Sequence, residues 1–280
     1  MIDRDVALEA LGTLCNASVT STERVGAGAA QDYLSIKTLI STVLASEETC
    51  QVSISSHVHL QTVLQGYKQA APNNHVDISG VLSGGSHFID EDEFFDPQFD
   101  YDFTNLRDTE TYYRGGEVYE RPCGWQRFAL KVHDKYGENT WLGNRYRSTE
   151  SVPGEWPVSY HGTSKAGAEG IIAGFYKPGN DKGRQVYGRG IYSSPYISEA
   201  IQYSKTFTSK KTGRAYRVIL QNRINPEYRQ KHRQNDDYWL VSIPEGTTAK
   251  EEQKMVERAI RPYGLLLKDI SNPEELCSIV

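Results

Sequence analysis

Pro157-Val158-Ser159-Tyr160-His161-Gly162-Thr163-Ser164 reads as a short extended run that leads into a turn. The residues after it, Lys165 to Ala173, read as a helix with Thr163 or Ser164 as N-cap and Gly174 as its stop. His161 therefore stands at a strand's end, beside a glycine that lets a ligand approach the backbone closely. A strand-end histidine is by itself more often structural than functional. What gives this one weight is the order of three further pieces.

The second piece is Tyr187-Gly188-Arg189-Gly190-Ile191-Tyr192-Ser193-Ser194-Pro195, two glycines before a strand and then a proline suited to a first helical turn. A helix reaching Tyr203 follows, and the 11 positions from Tyr192 to Tyr203 let a strand ring and a helix ring face one pocket. The third is Asp237-Tyr238-Trp239-Leu240-Val241, a strand opened by the pair Asp236-Asp237. The fourth, Arg261-Pro262-Tyr263-Gly264-Leu265-Leu266-Leu267, reads as an apolar strand that closes the sheet.

Upstream the sequence speaks of organisation more than chemistry. Gln31 to Leu44 has helical spacing, Thr49 to Ser55 alternates as a short strand, and His57 to Tyr67 reads as a second helix. His57 and His59 lack metal-binding spacing and are taken as structural. Residues 1–80 are therefore expected as an amino-terminal α/β region and 81–110 as an acidic linker or loop. Residues 111–272 are expected as the chemistry-bearing domain, with its core at 155–270, and 273–280 as a tail. Arg127 to Val132 and Thr140 to Leu142 look like short strands.

Net charge of −5 and a pI near 5.8 do not indicate a generally basic nucleic-acid-binding surface. A basic run from Lys205 to Arg233 is expected as solvated surface, with a diphosphate or an acidic acceptor as its other use. Cys15, Cys50, Cys123 and Cys277 form no C-x-x-C pair and have no histidine at metal spacing, so neither a disulfide framework nor a metal site is expected. No run suits a signal peptide or a membrane span, and the expected compartment is the cytosol or nucleus. Cys277-Ser278-Ile279-Val280 has only the outline of a prenylation box, so a membrane partner is expected only if Cys277 is lipidated. The 18 tyrosines fit either half-buried strands or a site for an aromatic ligand.

In this order the four pieces resemble the ADP-ribosyltransferase superfamily, in its poly(ADP-ribose)-polymerase-like, diphtheria-toxin-type class. The hallmark there is a His, a Tyr and a Glu on three strands lining an NAD cleft. His161-Gly162-Thr163 is similar to the first motif, and Gly188-x-Gly-Ile-Tyr192 with Tyr203 to the second. Asp237 stands where the family usually has Glu, before a Tyr-x-x-Val strand. The resemblance covers about 115 residues and leaves the first ~110 unassigned. It implies an α+β fold with a split β-sheet core, short helices and the small α/β region ahead of it.

It also implies NAD as substrate and mono-ADP-ribosyl transfer to a protein side chain, with no metal. By resemblance, Asp237, His161 and Tyr192 are the catalytic set, and His161, Gly162, Thr163, Tyr192, Ser193 and Tyr203 bind NAD. His161 would hold the adenine-side ribose, and the Gly162 backbone would clamp the carboxamide. Tyr203 would stack on nicotinamide, with Tyr192 as the opposite wall. Asp237 would bond the nicotinamide-ribose hydroxyl and stabilise the oxocarbenium-like charge at C1. Two departures matter. Ala200 stands where the family often has a carboxamide-bonding serine, a loss of about 1 kcal/mol that lowers NAD affinity unless Thr163 substitutes. Asp237 is one methylene shorter than Glu, which argues for single-unit transfer or feeble activity over polymer synthesis. An NAD glycohydrolase, a turnover-free NAD or ADP-ribose binding module, and RNA 2′-phosphotransferase chemistry are the other functions that fit parts of the sequence.

Overall fold

The computed structural model describes residues 2–24, 32–46, 85–144, 148–162, 189–232 and 236–271. The expected strand Thr49 to Ser55, the helices His57 to Tyr67 and Lys165 to Ala173, and Thr163, Gly188, Cys50 and Cys277 all lie outside the described residues.

The fold is α+β. Its main sheet runs β3 (Tyr101–Asp102), β6 (Gln126–Ala129), β13 (Ile260–Asp269), β10 (Ala215–Ile224) and β7 (Val158–His161). All of these pairings are antiparallel, and β9 (Lys205–Thr208) joins the edge of β10 that its other half gives to β7. Val218, Ile219 and Leu220 are fully buried in succession, because β10 is covered on both faces. A second sheet has three strands in the order β11 (Arg229–His232), β12 (Tyr238–Ser242) and β8 (Gly190–Ser193). Strands β4 (Tyr112–Arg114) and β5 (Glu117–Tyr119) form a separate hairpin.

Helix α1 (Arg4–Cys15) buries Val6, Ala7, Ala10, Leu11 and Leu14 in one apolar cluster with Phe128, Val218 and Leu265 of the main sheet. Lys205 of β9 donates to the carbonyls of Thr13 and Leu14, closing the carboxy-terminal turn of α1 from a strand far along the chain. Helix α2 (36–46) adds Leu39, Ile40, Val43 and Leu44 to the same cluster. The described part of the amino-terminal region is thus a wall of the same core as the main sheet. Leu11→Ala is expected to lower unfolding free energy by about 2–5 kcal/mol with an unchanged urea m-value. A loss under about 1 kcal/mol would show that α1 packs loosely.

The stretch 81–110, expected as an acidic linker or loop, is built into the fold from residue 86 onward. Strand β2 (Ser86–Ile89) pairs in parallel with β1 (Ser18–Ser21), Asp90 caps the short helix α3 (Glu91–Phe94), and β3 pairs with β6. Two of its acids have remote partners: Asp100 accepts from the Ala129 N–H at 2.7 Å and meets Arg4 at 3.2 Å, and Glu93 meets Lys131 and Lys135. Burial nonetheless pushes the Asp100 carboxyl up from its ordinary range. Thr140–Leu142 is a 3₁₀ turn, not a strand, because Trp141 turns inward and donates its indole N–H to the Glu138 carbonyl. Strand β13 does not close the sheet but lies inside it, between β6 and β10.

Candidate functional site

The two larger sheets meet at one seam. Tyr160 of β7 and Ser194, just past β8, exchange two backbone hydrogen bonds of 2.7 and 3.0 Å. At this seam His161 donates from Nδ1 to the Tyr192 carbonyl at 2.5 Å. A carbonyl only accepts, so Nδ1 carries the proton, and in the neutral ring Nε2 is the acceptor. His161 is buried, 6% exposed, as expected for a side chain held at a strand's end by its neighbour.

Gly162 follows under the end of helix α4 (Ile197–Ile201). The helix expected to reach Tyr203 stops two residues short, and Tyr203 occupies the turn after it. A Cβ on Gly162 would come within 2.5 Å of the Ala200 carbonyl oxygen and 2.7 Å of the Tyr203 carbonyl group. Only a glycine allows β7 and the turn carrying Tyr203 to approach this closely. Gly162→Ala is expected to cost about 1–3 kcal/mol in urea unfolding and to change the tyrosine signal in near-ultraviolet circular dichroism. Unaltered spectra and stability would mean that α4 is loosely placed.

Tyr192 and Tyr203 are half-buried, and both meet a third ring. The Tyr238 centroid lies 6.0 Å from that of Tyr192 and 6.0 Å from that of Tyr203, the latter edge-on at 78°. The register explains its presence. Leu240 pairs with Tyr192, so Tyr238, two residues earlier, shares that face. Sequence reasoning missed Tyr238 as a site residue, although its position directly after the acid and in phase with Leu240 was the available signal.

Trp239 pairs with Ser193, and its indole enters the main core on the other face. Asp237 precedes β12 by one residue and is half-buried, with its Oδ1 covered. The chain reaches it through Asp236, at φ 53, whose carbonyl accepts from the Trp239 indole at 2.8 Å. Direct contacts thus join His161 to Tyr192 and both tyrosines to Tyr238, whereas Asp237 comes to the cluster by chain adjacency to Tyr238. Ser193 is 6% exposed, and its Oγ makes no hydrogen bond among the described residues. Ala200 is buried in an apolar cluster with Tyr160, Ile197 and Ile219, which gives a packing reason for alanine instead of serine there.

Part of the basic run departs from the solvated surface expected of it. Arg223 is buried against Glu155, Arg229 lies 4.1 Å from the Trp239 ring and donates to Glu117 at 2.7 Å, and Lys231 meets Glu117 at 2.9 Å. Lys211 and Arg214 each pair with an aspartate at 3.0 Å. These cations are neutralised by acids of the same chain. Among the described residues, no group of three His, Cys, Asp or Glu side chains could hold a metal ion, and no helix is long and apolar enough to cross a membrane. No protein-family model matches the sequence, and no curated protein matches it either.

Proposed function

We propose that the protein is an NAD-dependent mono-ADP-ribosyltransferase, with an ADP-ribosyltransferase-like split sheet, that modifies a protein side chain and releases nicotinamide. The observation that carries this reading is the junction of His161, Tyr192, Gly162 and Tyr203, positions separated in sequence that meet at the seam between two sheets. Three tyrosine rings beside that junction supply a stacking site for a flat heteroaromatic ring.

In this reading Tyr203 and Tyr192 take the faces of the nicotinamide ring, with Tyr238 as the base between them. The Gly162 backbone bonds the carboxamide, and His161, with its tautomer set by Tyr192, accepts from a ribose hydroxyl through Nε2. Asp237 stabilises the positive charge that develops at ribose C1 as the N-glycosidic bond breaks and its electron pair leaves with nicotinamide. An acceptor heteroatom then bonds C1 and loses its proton to water. The short side chain of Asp237 and the packed Ala200 support single-unit transfer at modest rate. The cytosol or nucleus supplies both NAD and protein acceptors to such an enzyme.

The test is incubation with NAD labelled in the ADP-ribose part, with and without lysate proteins, alongside His161→Ala. Label on protein with matching nicotinamide release is expected, and weaker NAD binding in His161→Ala. Free ADP-ribose alone would replace the transferase with an NAD glycohydrolase, and binding without nicotinamide release would leave a recognition module. No NAD binding ends the reading.

A further inference from the structure

We infer that Glu120 is the positioning residue that sets Tyr203 for the nicotinamide ring, an inference that rests on the function proposed above. Glu120 lies just after the hairpin strand β5, far in sequence from every motif the resemblance names. It reaches two parts of the site at once. Its Oε2 accepts from the Ile197 N–H at 2.8 Å. Its backbone carbonyl accepts from the Tyr160 hydroxyl at 2.5 Å. One residue therefore ties the start of α4 to β7, the strand that ends in His161.

The reason α4 needs this tie is local. Its N-cap position holds Tyr196, whose side chain makes no capping bond, so the first N–H groups of the helix have no short-range side-chain cap. An acid 77 residues away performs the task that a serine or aspartate usually performs from the preceding position. The helix is only five residues long and runs straight into the turn that carries Tyr203, whose N–H donates to the Ala200 carbonyl. So short an element has little internal cooperativity, and its placement depends on its end contacts. The opposite end is fixed by the close approach of Gly162 to Ala200 and Tyr203. Tyr203 is thus held between a glycine below and a carboxylate at the helix start. Burial raises the Glu120 carboxyl above its ordinary range, even with the Ile197 N–H donating to it, which marks the site as partly withdrawn from water. There a lost hydrogen bond is not readily replaced by solvent.

Three variants of the full chain test this. Glu120→Ala is expected to raise the KM for NAD about tenfold with kcat nearly unchanged, because ring stacking serves the bound ground state and transition state alike. Glu120→Asp, which keeps the charge but shortens the reach, should move in the same direction, and Glu120→Gln, which keeps an acceptor at full length, should restore most of the parent KM. Amide hydrogen exchange supplies a readout independent of NAD. In Glu120→Ala, residues 197–204 should exchange faster while β10 and β13 stay protected. Unaltered exchange at 197–204, or a fall in kcat with unchanged KM, overturns the positioning role. Should Glu120→Ala unfold, exposing β10 and β13 as well, the comparison of Glu120→Asp with Glu120→Gln decides the matter by the same two criteria. Failure of the parent protein to bind NAD, with fast exchange still confined to 197–204, removes the proposed function and leaves the anchoring of α4 standing.

Discussion

Asp237→Ala is expected to keep NAD affinity within about threefold of the parent while turnover falls on the order of 100- to 1000-fold. The split follows from where each interaction acts. In the proposed function the tyrosine rings and the Gly162 backbone hold NAD before any bond breaks. A carboxylate at C1 of the ribose gains strength only as positive charge develops there. Removing it therefore spares binding and raises the barrier. Binding by calorimetry beside nicotinamide release gives both numbers. If Asp237→Ala turns over at the parent rate, Asp236 is the next acid to examine, although it is exposed and lies 3.8 Å from Lys231. Glu245 is a poorer substitute, because it is exposed beyond the far end of β12.

Glu155→Ala is expected to destabilise the fold by about 3–5 kcal/mol, a loss as large as that from emptying a core position. The Glu155 side chain is 2% exposed and that of Arg223 7%, with 3.5 Å between their charged atoms. Glu155 also accepts from the N–H groups of Gly115 and Val152 at 3.2 and 3.0 Å. Arg223 donates to the carbonyls of Trp156 and Leu142 at 2.5 and 2.7 Å. Removing the acid leaves a buried cation and two backbone donors short of their partner, which costs more than the pair itself is worth. Urea unfolding followed by tryptophan emission measures it, the Trp141 and Trp156 rings being 5.8 Å apart. A loss below about 1 kcal/mol would mean that water reaches Arg223 readily.

The strands bearing the proposed site are legible in the sequence because each has a local mark: His161-Gly162 at a strand end, the glycines before Tyr192, the aromatic run after Asp237. Strand β10, the centre of the main sheet, is not. Arg217, Gln221, Asn222 and Arg223 interrupt its apolar pattern and place it inside a run that reads as surface. Arg223 is compatible with burial only because Glu155 waits 68 residues away, a fact no window of sequence contains. The acidic stretch 86–102 is obscured for the same reason, since Arg4, Lys131, Lys135 and the Ala129 N–H are all remote. Tyr238 is the exception: its phase with Leu240 was there to be read, and only the ring it faces depends on the pairing of β12 with β8. Glu120 is a third case: a cap is easy to read from the residue before a helix and invisible when it comes from another element.

The join between the sheets has a consequence for how this molecule can diverge. Both bonds between Tyr160 and Ser194 run from amide to carbonyl, so exchanging either side chain leaves them in place, and only proline would delete one outright. The join between the sheets is consequently insulated from most point changes. A descendant sequence can drift widely in the side chains beside that join while inheriting the same meeting of the two sheets.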